Sequence, residues 1–333
     1  MSHGGNQDPR HILRRSLWPL SWIYGTGVLL RDAMFRFGLI GVHRLPVPVI
    51  SVGNLTVGGT GKTPMVAWLL ERARQLGHRP GVLARGYRRS PGEELNDEGK
   101  LLRGRFSDVP QVQEPDRVTA GRRLIQDHDV DLIILDDGFQ HRRLHRDRDL
   151  VLVDATHPFP GGLLPAGDLR ESPRALARAD VVVLTRAGGK TEEQIEARRQ
   201  RLWEIAGKEI PVLAAAHVPT GVVSMPGDET RALDTLAGQR VLLLSAIGRP
   251  GSFEDTARDL GCEIVDHVRR RDHHRHTQAE LSALARQAED QSATLLVTEK
   301  DEVKLAGMDT RRWVLRIDVE FLFEEPPAAL LGL

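Results

Sequence analysis

The chain has one cysteine, Cys262, in 333 residues. That excludes an internal disulfide and a cysteine-rich zinc site, and it suits a reducing compartment. There is no C-x-x-C and no H-E-x-x-H, so two common redox and zinc-hydrolase signatures are missing. Aromatic residues are 5% of the chain and form no basic-aromatic stripe of the kind that holds single-stranded nucleic acid. Lys and Arg number 46, as do Asp and Glu, so no charge excess argues for a nucleic-acid partner. No apolar run is long enough to span a bilayer, and no internal repeat or low-complexity tract is present. What remains is 40% hydrophobic and 28% charged. That is a globular composition, with length for two α/β domains or one large one.

Residues 1–46 differ from the rest. Between residues 10 and 44, Arg10, Arg14, Arg15, Arg31, Arg36 and Arg44 meet a single acid, Asp32. Among them lie Leu17-Trp18-Pro19-Leu20-Ser21-Trp22-Ile23-Tyr24 and Val28-Leu29-Leu30, interrupted by Pro19, Gly25 and Gly27. Arg31 closes the apolar stretch and no small-residue cleavage site follows, which argues against a signal peptide. Arginines flanking Trp, Tyr and Leu fit a helical segment lying in the headgroup region. An amphipathic helix packed on the domain is the alternative.

From residue 47 onward, strands and helices alternate, which implies a parallel sheet with helices on both faces. Strands are expected at Pro48–Val52, Gly81–Arg85, Leu132–Leu135, Leu150–Val153 and Val181–Leu184. Helices are expected at Thr63–Leu76, Asp116–His128 and residues 191–206. Residues 86–100 are polar and glycine-rich and read as a long loop, a type that is usually functional or disordered. Pro219, Gly221, Pro226 and Gly227 cluster around a short β-like Val222-Val223-Ser224 and mark a linker over 217–238. A second, smaller α/β series occupies 239–333, with strands at Val241–Ser245, Glu263–His267, Thr294–Thr298 and Trp313–Ile317.

The strongest motif is Thr56-Val57-Gly58-Gly59-Thr60-Gly61-Lys62-Thr63, after a strand and before a helix. It departs from G-x-x-x-x-G-K-[ST] only at Thr56. Glycines turn backbone N–H groups toward phosphate oxygens. Lys62 would neutralise β/γ charge and the Thr63 hydroxyl would bind Mg²⁺, while the helix that follows points its N-terminus at the phosphates. The domain over 47–216 therefore reads as a P-loop NTPase-like domain. Ile133-Ile134-Leu135-Asp136-Asp137 resembles a Walker B strand, delivering a carboxylate to the edge of the sheet where ligands bind. The residues alone leave open which of the two aspartates holds the metal.

Beyond these two motifs the chain resembles the tetraacyldisaccharide 4′-kinases, the lipid A 4′-kinases of Gram-negative bacteria. The resemblance runs from Val52-Gly53-Asn54-Leu55-Thr56 and the P-loop with Pro64 through Ala84-Arg85-Gly86-Tyr87 and Asp97-Glu98. It continues with Asp136-Asp137-Gly138-Phe139-Gln140-His141, Leu164-Pro165-Ala166-Gly167, Leu169-Arg170-Glu171, Asp272-His273-His274 and Thr298-Glu299-Lys300-Asp301. It implies Mg-ATP as phosphoryl donor and a tetraacyldisaccharide 1-phosphate lipid as acceptor at its 4′-hydroxyl, the product being lipid IV-A. Two α/β/α domains joined by a β-linker, with the site in the cleft, are implied as well. So is work at the cytoplasmic face of the inner membrane, with a membrane surface as partner and no obligate protein partner. Carried over, Asp97 is the catalytic aspartate and His273 the histidine paired with it. Glu98 and Asp137 fall near the metal, and Tyr87, Arg117, Asp136 and His141 fall at the lipid substrate.

Two departures from the family pattern stand out. Asn96 replaces the glycine before Asp97-Glu98; asparagine tolerates positive φ better than other side chains, so the turn is expected to survive. Asp168 replaces the proline after Pro165-Ala166-Gly167, which puts the shape of that loop in question. A competing reading is a membrane-associated P-loop ATPase switch or scaffold. Such switches use a lysine early in the loop, where this chain has Val57, and they need no acceptor base.

Overall fold

A computed structural model describes residues 17–87, 89–90, 92–227, 229–272, 274–305 and 308–333. His273 and residues 1–16 of the N-terminal segment lie outside the described residues. The chain divides into two compact units. The first comprises residues 1–85, 109–216 and 320–333, the second residues 86–108 and 217–319.

The first unit opens with α1 (Trp18–Arg36). Pro19, Gly25 and Gly27, expected to interrupt the apolar run, do not break this helix. Pro19 sits in the first turn, where its missing N–H costs nothing, and a side chain at Gly25 would press on Leu163 at 2.9 Å. The parallel sheet that follows is built from β1 (Val49–Asn54), β2 (Pro80–Ala84), β3 (Gln111–Gln113), β4 (Leu132–Asp136), β5 (Arg148–Asp154), β6 (Val181–Thr185) and β7 (Val212–Met225). Its order is β3-β2-β4-β1-β5-β6-β7, every pairing parallel. Every residue of β1 is buried, as expected of a central strand covered on both faces. The helices between strands are α2 (Lys62–Gln75), α4 (Arg117–Asp127) and α5 (Glu192–Ala206); α3 (Asp97–Arg105) belongs to the second unit. Helix α2 buries Met65, Val66, Leu69, Leu70 and Ala73, the stripe a 3.6-residue period provides. Helix α5 starts with a Thr191/Gln194 capping box and stops at Gly207 in the left-handed region.

In the second unit, α3 (Asp97–Arg105) occupies part of the stretch expected to be loop. The sequence sets its start. Asn96 is extended (φ −76°, ψ −179°), and its side chain accepts from the Gly99 N–H at 3.0 Å. The positive φ anticipated there does not occur: asparagine serves as an N-cap. Helices α6 (Pro250–Asp259), α7 (Gln278–Asp290) and α8 (Glu299–Glu302) accompany β8 (Glu229–Arg231), β9 (Arg240–Ser245), β10 (Glu263–Arg269), β11 (Thr294–Thr298) and β12 (Arg312–Phe321). The order is β10-β9-β11-β12-β7-β8, with β8 antiparallel to β7. Alternation along β9 shows the two-sided core. Leu242 and Leu244 join Leu281, Leu284 and Val297, while Val241 and Leu243 join Phe253, Ala257 and Trp313. A short final helix, α9 (Ala328–Leu331), returns the chain to the first unit.

Candidate active site

The carboxyl end of β1 is the topological switch point of the first unit, because β4 and β5 flank β1 on either side. The loop leaving it has the backbone geometry expected of a phosphate cradle. Gly58 (φ 106°) and Gly61 (φ 89°) take conformations closed to other residues without strain. The fully buried Asn54 braces the loop from beneath. Its amide donates to the Thr60 hydroxyl at 2.8 Å, and its carbonyl accepts from Lys62 Nζ at 3.3 Å. Behind Asn54, Gly53 touches Phe139 so closely that a Cβ would lie 2.5 Å from it. No side chain caps α2, and its first turn holds no acid. Its leading N–H groups and dipole are left for an anion.

Asp137 stands beside this cradle at φ 57°. Its carboxylate is 3.5 Å from Lys62 Nζ and accepts from Arg170 at 2.7 and 2.8 Å. Burial works to raise its pKa, but the charges of Lys62 and Arg170 and their hydrogen bonds outweigh it and hold the carboxyl below its usual range. Asp136, the buried last residue of β4, precedes it. An ionised carboxylate and the Thr63 hydroxyl are the hard oxygen donors that Mg²⁺ takes, so the residues present in this unit suit that ion.

Arg117 and His141 also belong to this unit. Arg117 is buried, gives one hydrogen bond to the Pro115 carbonyl at 2.9 Å, and keeps its Nε without a partner among the described residues. Burial, then the charge of Arg85, lowers its pKa to about 10, with Asp137 and Asp136 opposing. It therefore remains a cation at neutral pH. Burial and the charges of Arg117 and Arg146 bring His141 down to about 4. At neutral pH it offers an uncharged ring, whose buried Nε2 has no partner among the described residues.

Three elements support the cradle, the first two of them not singled out in the sequence. Thr185, at the end of β6, donates its hydroxyl to the Thr60 carbonyl at 3.0 Å. Arg186, at φ 55°, forks between the buried Asp154 (2.5 Å) and the Gly59 carbonyl (2.6 Å). The loop 163–171 adds a third support. The Val57 N–H donates to the Asp168 carbonyl at 2.8 Å, a backbone contact that does not need the family's proline. The same loop seats α1. Ser21 bonds Leu163 and Ala166, Tyr24 donates to the Arg170 carbonyl at 2.8 Å, and Arg31 pairs with the buried Glu171 at 3.1 Å. A continuous chain of contacts thus runs from α1 through Arg170 and Asp137 to Lys62.

The remaining sequence-identified residues lie in the second unit. Asp97 and Glu98 form the first turn of α3, where the helix dipole favours negative charge. Arg105, at the far end of α3, donates to Glu299 at 2.8 Å and to the Ile317 carbonyl at 2.9 Å, and also binds Asp318. Lys300 joins two of the motifs: its ammonium lies 2.9 Å from Asp272 and 3.8 Å from Glu98. The Thr298-Glu299-Lys300-Asp301 motif thereby acquires a physical role. Thr298 caps α8, Glu299 and Lys300 hold α3, and Asp301 is buried against the Ala246 N–H and Lys304. Tyr87 is exposed, and its carbonyl accepts from the Asn96 amide at 3.1 Å.

Comparison with known proteins agrees over nearly the whole chain. Residues 13–331 match the family model described as tetraacyldisaccharide-1-P 4′-kinase. A tetraacyldisaccharide 4′-kinase of Syntrophus aciditrophicus is 39% identical over 314 residues, covering 87% of this chain and 83% of that one. One from Anaeromyxobacter sp. strain Fw109-5 is 39% identical over 319 residues, covering 90% and 85%. Among solved structures, an "apo" form of LpxK from Aquifex aeolicus in complex with ATP superposes with a TM-score of 0.75. It is 29% identical, and the match covers 96% of this chain and 98% of that one.

Proposed function

The chain belongs to the tetraacyldisaccharide-1-P 4′-kinase family and is an ATP-dependent lipid A 4′-kinase, and from that premise we propose how its residues divide the work. The cradle of residues 56–63 holds the ATP phosphates, Lys62 and the open N-terminus of α2 offsetting their charge. Thr63 and Asp137 would hold Mg²⁺, Glu98 being assigned to the metal by the family resemblance, and the ion would supply charge screening for the phosphates. Asp97 takes the proton of the 4′-hydroxyl, and His273 orients Asp97 and tunes its pKa. Tyr87, Arg117, Asp136 and His141 contact the lipid, Arg117 as a cation and His141 as a neutral hydrogen-bonding ring.

Helix α1 has the surface of a membrane-lying segment. Trp22, Ile23 and Leu29 are 68%, 70% and 69% exposed, with Trp18, Leu20 and Leu30 also open to solvent. An exposed apolar set of that extent marks an interaction surface. No helix among the described residues is long and apolar enough to cross a membrane; the exposed apolar side chains of α1 support a segment lying in the headgroup region, and the side we propose is the cytoplasmic face of the inner membrane. Trp22→Glu with Ile23→Glu should abolish flotation with anionic vesicles and raise KM for the lipid while sparing KM for ATP. Unchanged flotation would refute the membrane role of α1.

The observation that carries the kinase reading is the cradle itself, Lys62 and Asp137 paired at an uncapped helix start, in a chain that matches the family along its length. The test is transfer of labelled γ-phosphate to the disaccharide 1-phosphate lipid. ATP consumption should depend strictly on the acceptor. Hydrolysis that proceeds equally on vesicles lacking the acceptor would favour the switch instead.

A further inference from the structure

Between β10 and α7, three side chains outside the proposed kinase machinery converge. They are His274, His276 and Glu280, and one ligand atom from each lies within 4.8 Å of the others. His274 Nε2 is 3.1 Å from Glu280 Oε1. The second carboxylate oxygen lies 3.3 Å from the same ring nitrogen and accepts from the Thr277 N–H at 2.8 Å in the capping box of α7. Oε1 takes no part in the capping box and faces His274. The His276 ring packs against His274 with centroids 4.9 Å apart, and both of its nitrogens are buried without a hydrogen-bond partner among the described residues. A half-buried imidazole whose two nitrogens are both shielded and idle is costly unless something satisfies it.

We propose that His274, His276 and Glu280 form a zinc site that ties the turn after β10 to the first turn of α7. Two imidazoles and one carboxylate are a zinc donor set, with a fourth position left to water. Magnesium is disfavoured, because it asks for an octahedral shell of oxygens. Tetrahedral zinc with bonds near 2.0–2.1 Å places neighbouring ligand atoms about 3.3 Å apart. The His274–Glu280 separation already meets that spacing. His276 closes the remaining gap by a small movement of the segment 274–277, which lies between strand and helix. Arg270, with Nε 3.8 Å from the same carboxylate oxygen, competes with the ion for it.

The test uses the full-length chain without a histidine tag, stripped of metal with a chelator. Calorimetric titration with zinc chloride should give one equivalent of binding, and Co²⁺ in its place should show the visible ligand-field bands of a tetrahedral site. Two variants remove a ligand while keeping local structure: His276→Phe retains a ring of similar size, and Glu280→Gln retains the capping box. Each should weaken zinc at least about 100-fold, beyond the 10–100-fold typical of losing an outer partner. Each should also erase the zinc-dependent rise in Tm while leaving the metal-free Tm near that of the parent. No saturable zinc binding by the parent, or binding undiminished in either variant, overturns the site.

Discussion

The loop at residues 56–61 is held by short, buried groups: Asn54 from below, Thr185 from the side, and the tight glycines of its own backbone. Asp97 and Glu98 ride on a helix tethered by the long side chains of Arg105, which reaches Glu299 and Asp318 194 and 213 positions away, and Lys300, which approaches Glu98 about 200 positions before it. In the first region geometry is stored in the backbone and in one element's immediate neighbours. In the second it is stored in ion pairs between distant segments, which form only once the whole unit has folded. The first design braces the loop through buried neighbours. The second holds Asp97 and Glu98 through ion pairs that range from largely buried at Arg105 to partly exposed at Lys300.

Removal of a cradle charge should do the greatest damage. Lys62→Ala deletes the cation at the phosphates and at Asp137. The loss in kcat should be about 10³-fold or more, at the upper end of what a single electrostatic donor supplies. A folded variant with turnover near the parent's would show that the cradle is not the catalytic phosphate site.

Next comes the acid. Asp97→Ala should lower kcat by about 10²–10⁴-fold, the scale of a general base, with ATP binding retained. If His273 acts only through Asp97, the double variant Asp97→Ala with His273→Ala should be little worse than the poorer single one. His274→Ala serves as the neighbour control. Additive losses, or a larger loss at His274 than at His273, would separate the two residues.

These two regions also differ in how much of them the sequence discloses. The cradle is local: strand, glycine turn, Lys-Thr and an apolar helical stripe fall within 27 residues, so Val49–Gln75 could be read directly. The strands around it were legible for the same reason, as short apolar runs between turn signals. The start of α3 was less so. Asp97 reads as loop because α3 is short and strongly charged, and the cue that overrides this is the Asn96 cap, visible only when asparagine is weighed as a cap rather than as a turn residue. Gly25 and Gly27 read only as interruptions of an apolar run, whereas within α1 Gly25 leaves room for Leu163, more than 130 residues on, where a Cβ would lie 2.9 Å from it. The roles of Lys300, Arg170 and Arg186 were out of reach, since each joins segments that only the fold brings together.

Lys300 sharpens the comparison in the second unit. Its ion pairs with Asp272 and Glu98 are partly exposed, and pairs of that kind add little to stability. Lys300→Ala should leave Tm within about 1–2 °C of the parent, because a surface pair contributes only a few tenths of a kcal/mol. It should nevertheless lower kcat about tenfold, equivalent to ~1.4 kcal/mol of positioning. Lys300→Arg should recover part of it, and KM for ATP should not move. A fall in Tm matched to the loss of activity would make Lys300 a structural residue only.

The smallest effect is expected at the edge of the cradle, where the two designs meet. Arg186 uses the side-chain strategy in the unit that otherwise relies on the backbone: its guanidinium links buried Asp154 to the Gly59 carbonyl. Pinning that carbonyl fixes the peptide plane between Gly59 and Thr60, and so the direction of the N–H that follows. Arg186→Ala should therefore raise KM for ATP about three- to tenfold, the equivalent of one modest hydrogen bond, with kcat reduced less. Asp154→Asn should act in the same direction, and the double variant should add little, because the two side chains make one support. Arg186→Lys discriminates between charge and geometry. An ammonium keeps the charge but cannot serve both partners with the planar fork, so it should behave like the alanine variant. Full rescue by lysine would mean that Arg186 contributes only a positive potential near the phosphates. Losses confined to the lipid KM would move its role away from the nucleotide altogether.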